Sequence, residues 1–452
     1  EWLRNLRESP ARELAGWMTV LGGRYLESGT TGDPLRTPSS IPSGRNLHDF
    51  DPALIPTKAA CGLGRRLGEE MLAEYRKGHG RLPEKVSMVL WFGETIRHQG
   101  AMECEALYLM GLEPKWNSRG IVDGLRVIPE EELGRPRIDV VFTIAGIYRD
   151  GFADKIVLLD RATRLAAEQG ENAIRRNTAR VADRLRRSGG GEDEAKRLAA
   201  ARVFGSAPGD YGAGISRMAK QSKDAESRQA VVDVYTGFMG HAYGAEMWGM
   251  RSPAALREHL AGNEAIVHSR SSALYGVLDN DDFFEFAGGL NLATKEANGG
   301  KAPEMYVNDV RREGRERVTG VQTYLAHELN ARNWNPKWIG EMKRGGYAGA
   351  REMMDNLENL YGWQMTAAER MTGAFWQNSY DVYVADKHGL ELEAFFEKEN
   401  PHSRQMMLAR LLEIDRQGVH RFAGEERERL VREYVRSVNR HGVACSANTC
   451  GN

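Results

Sequence analysis

The chain has 452 residues, and its 62 Lys and Arg nearly cancel 63 Asp and Glu to a net charge of -1. That length allows two or three domains with cores of their own. The charge balance excludes a global field that would draw nucleic acid or an anionic membrane, so a charged partner is met locally.

Four cysteines, Cys61, Cys104, Cys445 and Cys450, are too few for a disulfide framework and predict a reducing, cytoplasmic setting. No run approaches the roughly 18 apolar residues of a membrane span, and residues 1–30 lack the order of a signal peptide. Glu1 in place of an initiator Met, and a last stretch that stops on a Gly-Asn turn signal, predict a piece of something longer.

In chain order, residues 27–57 are crowded with Gly, Pro, Ser and Thr, which supply turn dihedrals and remove ladder donors. The interleaved Ile41, Leu47, Phe50 and Ile55 favour an ordered, packed loop over a linker, so residues 1–58 read as a Gly/Pro-rich N-terminal segment. Residues 59–215 alternate helical patterns with the apolar runs KVSMVLWFG (85–93) and RIDVVFTIAG (137–146), which read as buried strands. From 155 to 203 the pattern is helical, broken at RSGGGEDE (187–194). Residues 216–330 read as a mixed α/β domain with strands at AIVHS (265–269) and EMYVND (304–309), and residues 331–452 as helical. The fold class is therefore α/β, a parallel-rich sheet layer in the N-terminal part followed by a mostly helical C-terminal region. The charged run EERERLVREYVR (425–436) reads as a solvated helix face.

Chemistry-bearing groups collect where strands end. Glu94, Arg97 and His98 follow the first strand, at the carboxyl edge where open α/β sheets keep ligand sites. In a helix Glu94 and His98 are i, i+4 neighbours, either a base, an imidazole and a cation for one ligand or a dipole-favoured Glu and a surface His. Gly146, Tyr148, Arg149 and Asp150 hold the same place after the second strand, as a ligand crevice or as a turn in which Gly supplies the dihedral and Asp150 pairs with Arg149. FGSAPGDYGAG (204–214) has four Gly but no preceding strand signal; it reads as a tight loop presenting Tyr211 and backbone amides. No GxxxxGK[ST] occurs in the chain, so no nucleotide site is expected.

In VHSRSSALYGVLDNDDFFEFAGG (267–289) the acids fit a helix start with Asp279 or Asn280 as N-cap, but His268 and Arg270 have no such structural reason. Phe283, Phe284 and Phe286 are core or line a flat apolar pocket. His327-Glu328 lacks a His at 331, which excludes a zinc protease, and Glu328 with Arg332 reads as a helix ion pair. Cys445 and Cys450 are spaced too widely for a common zinc knuckle.

The segments IPSGRNLHDFDPALIPTKAA (41–60), ETIRHQGAMECEALYLMGLEPKW (94–116), ELGRPRIDVVFTIAGIYRDGFADKIVLLDRA (132–162), VFGSAPGDYGAG (203–214), VHSRSSALYGVLDNDDFFEFAGGL (267–290) and NPKWIGEMKRGGYAGAREM (335–353) stand in one order. Together they resemble the C-terminal half of the large subunit of cobaltochelatase, CobN type, and more weakly that of magnesium chelatase. The resemblance implies insertion of a divalent metal, cobalt favoured and magnesium or iron open, into a corrin or porphyrin-type macrocycle. It also implies AAA+ type partner subunits that bind ATP and Mg. The wording HSRSS and TIRHQG is similar to CobN-like proteins of anaerobes and archaea, which keeps a haem dechelatase or tetrapyrrole carrier as the alternative.

Within that resemblance, Glu94, His98, His268 and Glu328 are the expected proton acceptors or transient ligands, with His98 and His268 toward the metal. Arg45, Asn46, Arg97, Tyr148, Arg149, Tyr211, Arg270 and Phe283 are expected to hold the macrocycle, the Arg forks on its carboxylates and the rings on its face.

Overall fold

A computed structural model describes residues 1–32, 34, 37–48 and 51–444. Its centre is an eight-stranded sheet of β1 (Lys85–Leu90), β2 (Asp139–Ile144), β3 (Val203–Gly205), β4 (His241–Gly244), β5 (Met247–Arg251), β6 (Ala265–Arg270), β7 (Glu304–Asp309) and β8 (Arg317–Gly320). The strands lie in the order β8-β7-β6-β1-β2-β3-β4-β5. Strands β7, β6, β1, β2 and β3 run parallel, with antiparallel β8 at one flank and the β4-β5 hairpin at the other.

Every residue of β1, β2 and β6 is buried, as parallel strands covered on both faces require. On one face Val86, Met88 and Leu90 pack with Leu67 and Met71 of helix Lys58–His79, Leu107 of helix Ala101–Leu109 and Ile156 of helix Ala153–Ala167. On the other, Val89, Val141, Phe204 and Ile266 meet the C-terminal helices. Helix Tyr347–Thr366 is the axis of that second layer, for its last eleven residues, Asn356 to Thr366, are all buried.

The α/β class and the parallel-rich sheet agree with the sequence. The two expected strands form, each giving way at its end to a short helix, Phe92–His98 and Gly146–Gly151. Helices Ala153–Ala167, Ala173–Arg187 and Glu192–Ala200 fill the region expected to be helical, with the Gly loop between the last two. The sheet, however, takes strands from both sides of the division expected at 215/216, so segments 59–215 and 216–330 share one sheet. FGSAPGDYGAG begins inside a strand, β3, whose three residues are too few to stand out. The Gly/Pro-rich segment is ordered by a small parallel pairing of Gly29–Thr30 with Asn46–His48. Ile41 and Ile55 are buried while Leu47 is exposed, and Phe50 lies outside the described residues.

Cys61 and Cys104 are joined, with Cα atoms 4.9 Å apart, a single bond and no framework, though one that the expected reducing setting did not anticipate. Glycine at 64 lets the two helices approach closely enough, since a Cβ there would meet Glu105 N at 2.7 Å. Cys445 and Cys450 lie outside the described residues. Among the described residues no helix is long and apolar enough to cross a membrane.

Candidate functional site

Successive strands β1 to β5 run outward in one direction, and β6 returns to the other side of β1. The reversal of strand order therefore falls between β1 and β6, and ligands of open α/β sheets bind outside the carboxyl ends at such a point. Register places His268 opposite Val89, so the residues just beyond β1 and at the end of β6 face each other across the crevice.

Helix Phe92–His98 brings Glu94 into this crevice with 1% exposure. Its Oε1 accepts from Arg97 Nη2 at 2.8 Å, its Oε2 from Ser269 Oγ at 3.2 Å, and Arg270 Nη1 stands 3.7 Å away. Two guanidinium groups and a hydroxyl surround the buried carboxyl with donors. Arg97 extends the bridge from β1 to β6: its Nε donates to Ser271 Oγ at 2.8 Å and its Nη2 to the Tyr275 hydroxyl at 3.2 Å.

His268 points to the helical face of the same sheet. Its ring lies 4.5 Å from Trp91 and 5.1 Å from Phe283, centroid to centroid. Neither ring nitrogen has a hydrogen-bond partner among the described residues. Burial, and secondly the Arg270 charge, push its pKa down to about 3, so the imidazole is neutral and keeps a lone pair throughout the physiological range. An enclosed cavity lies beside it, lined also by Arg270, Phe283, Tyr324 and Trp363.

Arg270 is fully buried, and among the described residues only its Nη2 donates, Nε and Nη1 being without a hydrogen-bond partner. Nη2 donates to the carbonyls of Ser272, at 3.1 Å, and Tyr275, while the guanidinium stacks 4.4 Å from the Tyr275 ring and 4.8 Å from Phe283. It thus shapes the turn after β6 whatever else it holds.

His98 closes helix Phe92–His98, buried, with Nδ1 accepting from Ala101 N at 3.1 Å. Together with Arg97 it lines an open cleft of about 590 Å³ whose walls include Thr30, Thr31 and Thr37 of the Gly/Pro-rich segment, Arg66 of helix Lys58–His79, and Glu313 and Glu316 between β7 and β8. Arg45 and Asn46 belong to that segment. Arg45 is paired with Glu27 at 2.8 Å, and Asn46 Nδ2 donates to the carbonyls of Thr30 and Ser40, both at 2.8 Å.

A second cluster forms at the end of β2. Arg149, 1% exposed, donates to both oxygens of Asp150 at 2.7 and 3.1 Å and to the carbonyls of Ala207 at 2.6 Å and Asp210 at 3.2 Å. Tyr211 completes the clasp by donating to Asp150 at 2.9 Å. The expected Arg149-Asp150 pair is therefore present. Gly146 has a different role from the one expected, because a Cβ there would meet Asp210 O at 2.6 Å: it admits the loop rather than supplying a dihedral. Tyr148 faces away, fully buried, its hydroxyl 2.9 Å from Glu103 Oε1.

The loop amides serve an internal acceptor. Glu285 takes Ala213 N at 3.2 Å, Ile215 N at 3.1 Å and Ser216 N at 2.6 Å. It can do so because its helix opens at Asp282 and passes at once into a π-helical turn, Phe284–Gly288, a distortion common at functional sites. Neither Asp279 nor Asn280 is the N-cap. Asp279 instead accepts from Gly276 N at 2.6 Å and pairs with Arg332. Glu328, expected to pair with Arg332, accepts from Val277 N at 2.9 Å and pairs with Arg311 at 3.1 Å.

The structure thus gathers Glu94, Arg97, Arg270, His268 and Phe283 at the β1/β6 crevice, with His98 on its outer side. Arg149 and Tyr211 lie at β2, Glu328 in the support of the 276–279 turn, and Arg45, Asn46 and Tyr148 apart. Trp91, Ser269, Ser271 and Tyr275 join the crevice without having been singled out. All four stand within a few residues of a strand's carboxyl end, which is the signal that could have found them. Among the described residues no three His, Cys, Asp or Glu side chains gather as a ligand set.

The family model described as CobN/Magnesium Chelatase matches residues 1–427. The chain belongs to this family. All the groups named above lie within the match. Among its relatives, the aerobic cobaltochelatase subunit CobN of Sinorhizobium sp is 32% identical, over 91% of this chain and 32% of its own length. A magnesium-chelatase subunit of Cereibacter sphaeroides is 32% identical, over 89% of this chain and 32% of its own. The solved catalytic subunit of cobaltochelatase from Mycobacterium tuberculosis superposes with a TM-score of 0.87 at 30% identity, covering 97% of this chain and 37% of that one. The chain spans about a third of the length of these CobN/magnesium chelatase relatives.

Proposed function

We propose that this chain carries the reacting groups of a metal chelatase large subunit that inserts a divalent metal, cobalt in first place, into a tetrapyrrole. Insertion removes water from a hydrated cation and two protons from ring nitrogens. A chelatase site therefore needs a ligand that is never blocked by a proton and a carboxylate that can take one.

The observation that carries the reading is that Glu94, at the strand-order reversal, is held by Arg97, by Arg270 and by Ser269, the residue next to His268. His268, with its pKa near 3, is a poor proton acceptor and a standing ligand, which favours metal handling for it. Glu94 is the proton acceptor, and Arg97 and Arg270 compensate its charge before the proton arrives. His98 and Arg97 meet the macrocycle in the open cleft, whose size falls within the range of small-molecule sites. Arg97 offers a guanidinium that suits the ring's carboxylates, whereas the fork of Arg149 is taken up by Asp150 and the loop carbonyls. ATP hydrolysis belongs to AAA+ type partners on this reading, in keeping with the lack of a phosphate-loop motif in the sequence.

The test is insertion by the complete complex, followed by ring absorbance and by metal analysis of the product. His268→Gln and Glu94→Gln should each lower the rate, Glu94→Gln by roughly 100-fold or more, at unchanged macrocycle affinity. Loss of affinity equal to loss of rate would overturn the assignment. Metal leaving the ring would turn the reading toward a dechelatase.

A further inference from the structure

On the helical face of the sheet, between β6, β7 and helix Tyr347–Thr366, lies the enclosed cavity beside His268, about 20 Å³ in volume. That is the room one water or one small ion needs. Three buried residues that line it bring nitrogens with no hydrogen-bond partner among the described residues: Arg270 with Nε and Nη1, Trp363 with Nε1, and His268 with both ring nitrogens. Buried polar groups are nearly always paired, so orphans that share one cavity ask for a common partner. The neutral imidazole has one N–H and one lone pair, and every other orphan is an N–H. Donors are therefore in surplus.

Positive charge is in surplus as well. Arg270 Nη1 stands 3.7 Å from Glu94 Oε1, but Arg97 donates to that same oxygen at 2.8 Å. Glu328, the other acid acting on Arg270, is paired with Arg311 at 3.1 Å. A water brings as many hydrogens as lone pairs and would leave N–H groups unpaired, whereas an anion accepts from them all. An oxyanion would press its remaining oxygens on the apolar walls of Ile266, Phe283, Met305 and Val307.

We propose that this cavity binds a single monatomic anion, chloride in the cell, through Arg270, Trp363 and the N–H of His268. The proposal does not rest on the chelatase reading, because the anion takes the imidazole's N–H and leaves its lone pair. Its test measures no metal insertion, so the two fail separately.

For that test the full chain is prepared and crystallised with bromide in place of chloride, and anomalous scattering is read at the bromine edge. A peak in the cavity, within hydrogen-bond reach of Arg270 and Trp363 Nε1, is the expected result. In solution, bromide or chloride exchanged for gluconate at constant ionic strength should raise the melting temperature saturably, as a ligand of the folded state does. Trp363→Phe keeps an aromatic ring but loses the N–H, and should weaken that affinity roughly tenfold, the loss of one hydrogen bond to an ion. If this variant does not fold, the bromide peak in the parent protein decides alone. Density without anomalous signal, meaning a water, would overturn the inference, as would a cavity without density. So would bromide at the surface alone, an adventitious ion only, or a melting temperature equal in gluconate and chloride.

Discussion

Trp91 meets His268 edge-on with ring centroids 4.5 Å apart, and Phe283 touches both, 4.6 Å from Trp91 and 5.1 Å from His268. This aromatic enclosure is why the imidazole is held neutral. Its folded pKa, near 3, lies below the ordinary 6.5, so between those values the unfolded chain binds the extra proton. The contribution to stability is complete above pH 6.5 and is lost as pH falls toward 3, by at most about 1.4 kcal/mol per unit. His268→Gln should remove that one-proton slope in denaturant titrations at pH 7, 5.5 and 4.5. Nitrogen NMR of the ring should still read neutral at pH 5, and a midpoint near 6.5 would refute the enclosure.

Arg97 ties helix Phe92–His98 to the turn after β6. A double-mutant cycle of Arg97→Ala with Ser271→Ala should give a coupling of about 1.5 kcal/mol, the lower end for a hydrogen bond to a charged donor, since Arg97 is partly exposed. Arg97→Lys keeps the charge but cannot reach Glu94, Ser271 and Tyr275 together, and should recover less than half of the loss. Strict additivity in urea unfolding would show that the bridge contributes nothing.

Glu285 holds the 212–216 loop through three backbone amides. Its replacement by Ala leaves those amides without their acceptor and should destabilise the protein by roughly 3 kcal/mol. The sharper readout is hydrogen exchange, in which Ala213, Ile215 and Ser216 should lose protection well before β3 does.

Glu105 is fully buried between helix Lys58–His79 and β7, with Asn308 Nδ2 2.5 Å from its Oε2. Burial first, against the Asn308 hydrogen bond, raises its pKa to about 8. The folded state therefore holds a proton that the unfolded chain releases near 4.5, and stability falls as pH rises from 4.5 to 8. Glu105→Gln should be near neutral at pH 5 and gain on the parent by up to about 1.4 kcal/mol per unit toward pH 8.5. A constant difference across that range would mean that the carboxyl is already ionised at neutral pH.

How much of this was legible depends on whether a signal is local. Strands β1, β2, β6 and β7 announce themselves as buried apolar runs, and the strand-end rule picks out Glu94, Arg97, His98 and His268 without further help. Strands β3, β4, β5 and β8 have three to five residues and owe their existence to neighbours far away in sequence, so periodicity passes over them. Ion pairing fails for the same reason. Spacing joins Glu328 to Arg332, but tertiary packing offers each a better partner, in Arg311 and Asp279. The inward use of Arg270 rests on the turn at 272–275, whose carbonyls no side-chain pattern reveals.

The crevice joins residues that leave the ribosome far apart in time. When Glu94 has emerged, the groups that steady it, Ser269, Arg270 and Ser271, are still some 175 codons from being made. A nascent chain stalled at residue 250 would carry β1 to β4 with an open edge on β1 and an acid that has Arg97 beside it but still awaits Arg270. Such an intermediate exposes a strand edge able to pair with the wrong chain. Ribosome-bound chains of increasing length should accordingly stay sensitive to protease and demand chaperone until residue 309 has cleared the exit tunnel.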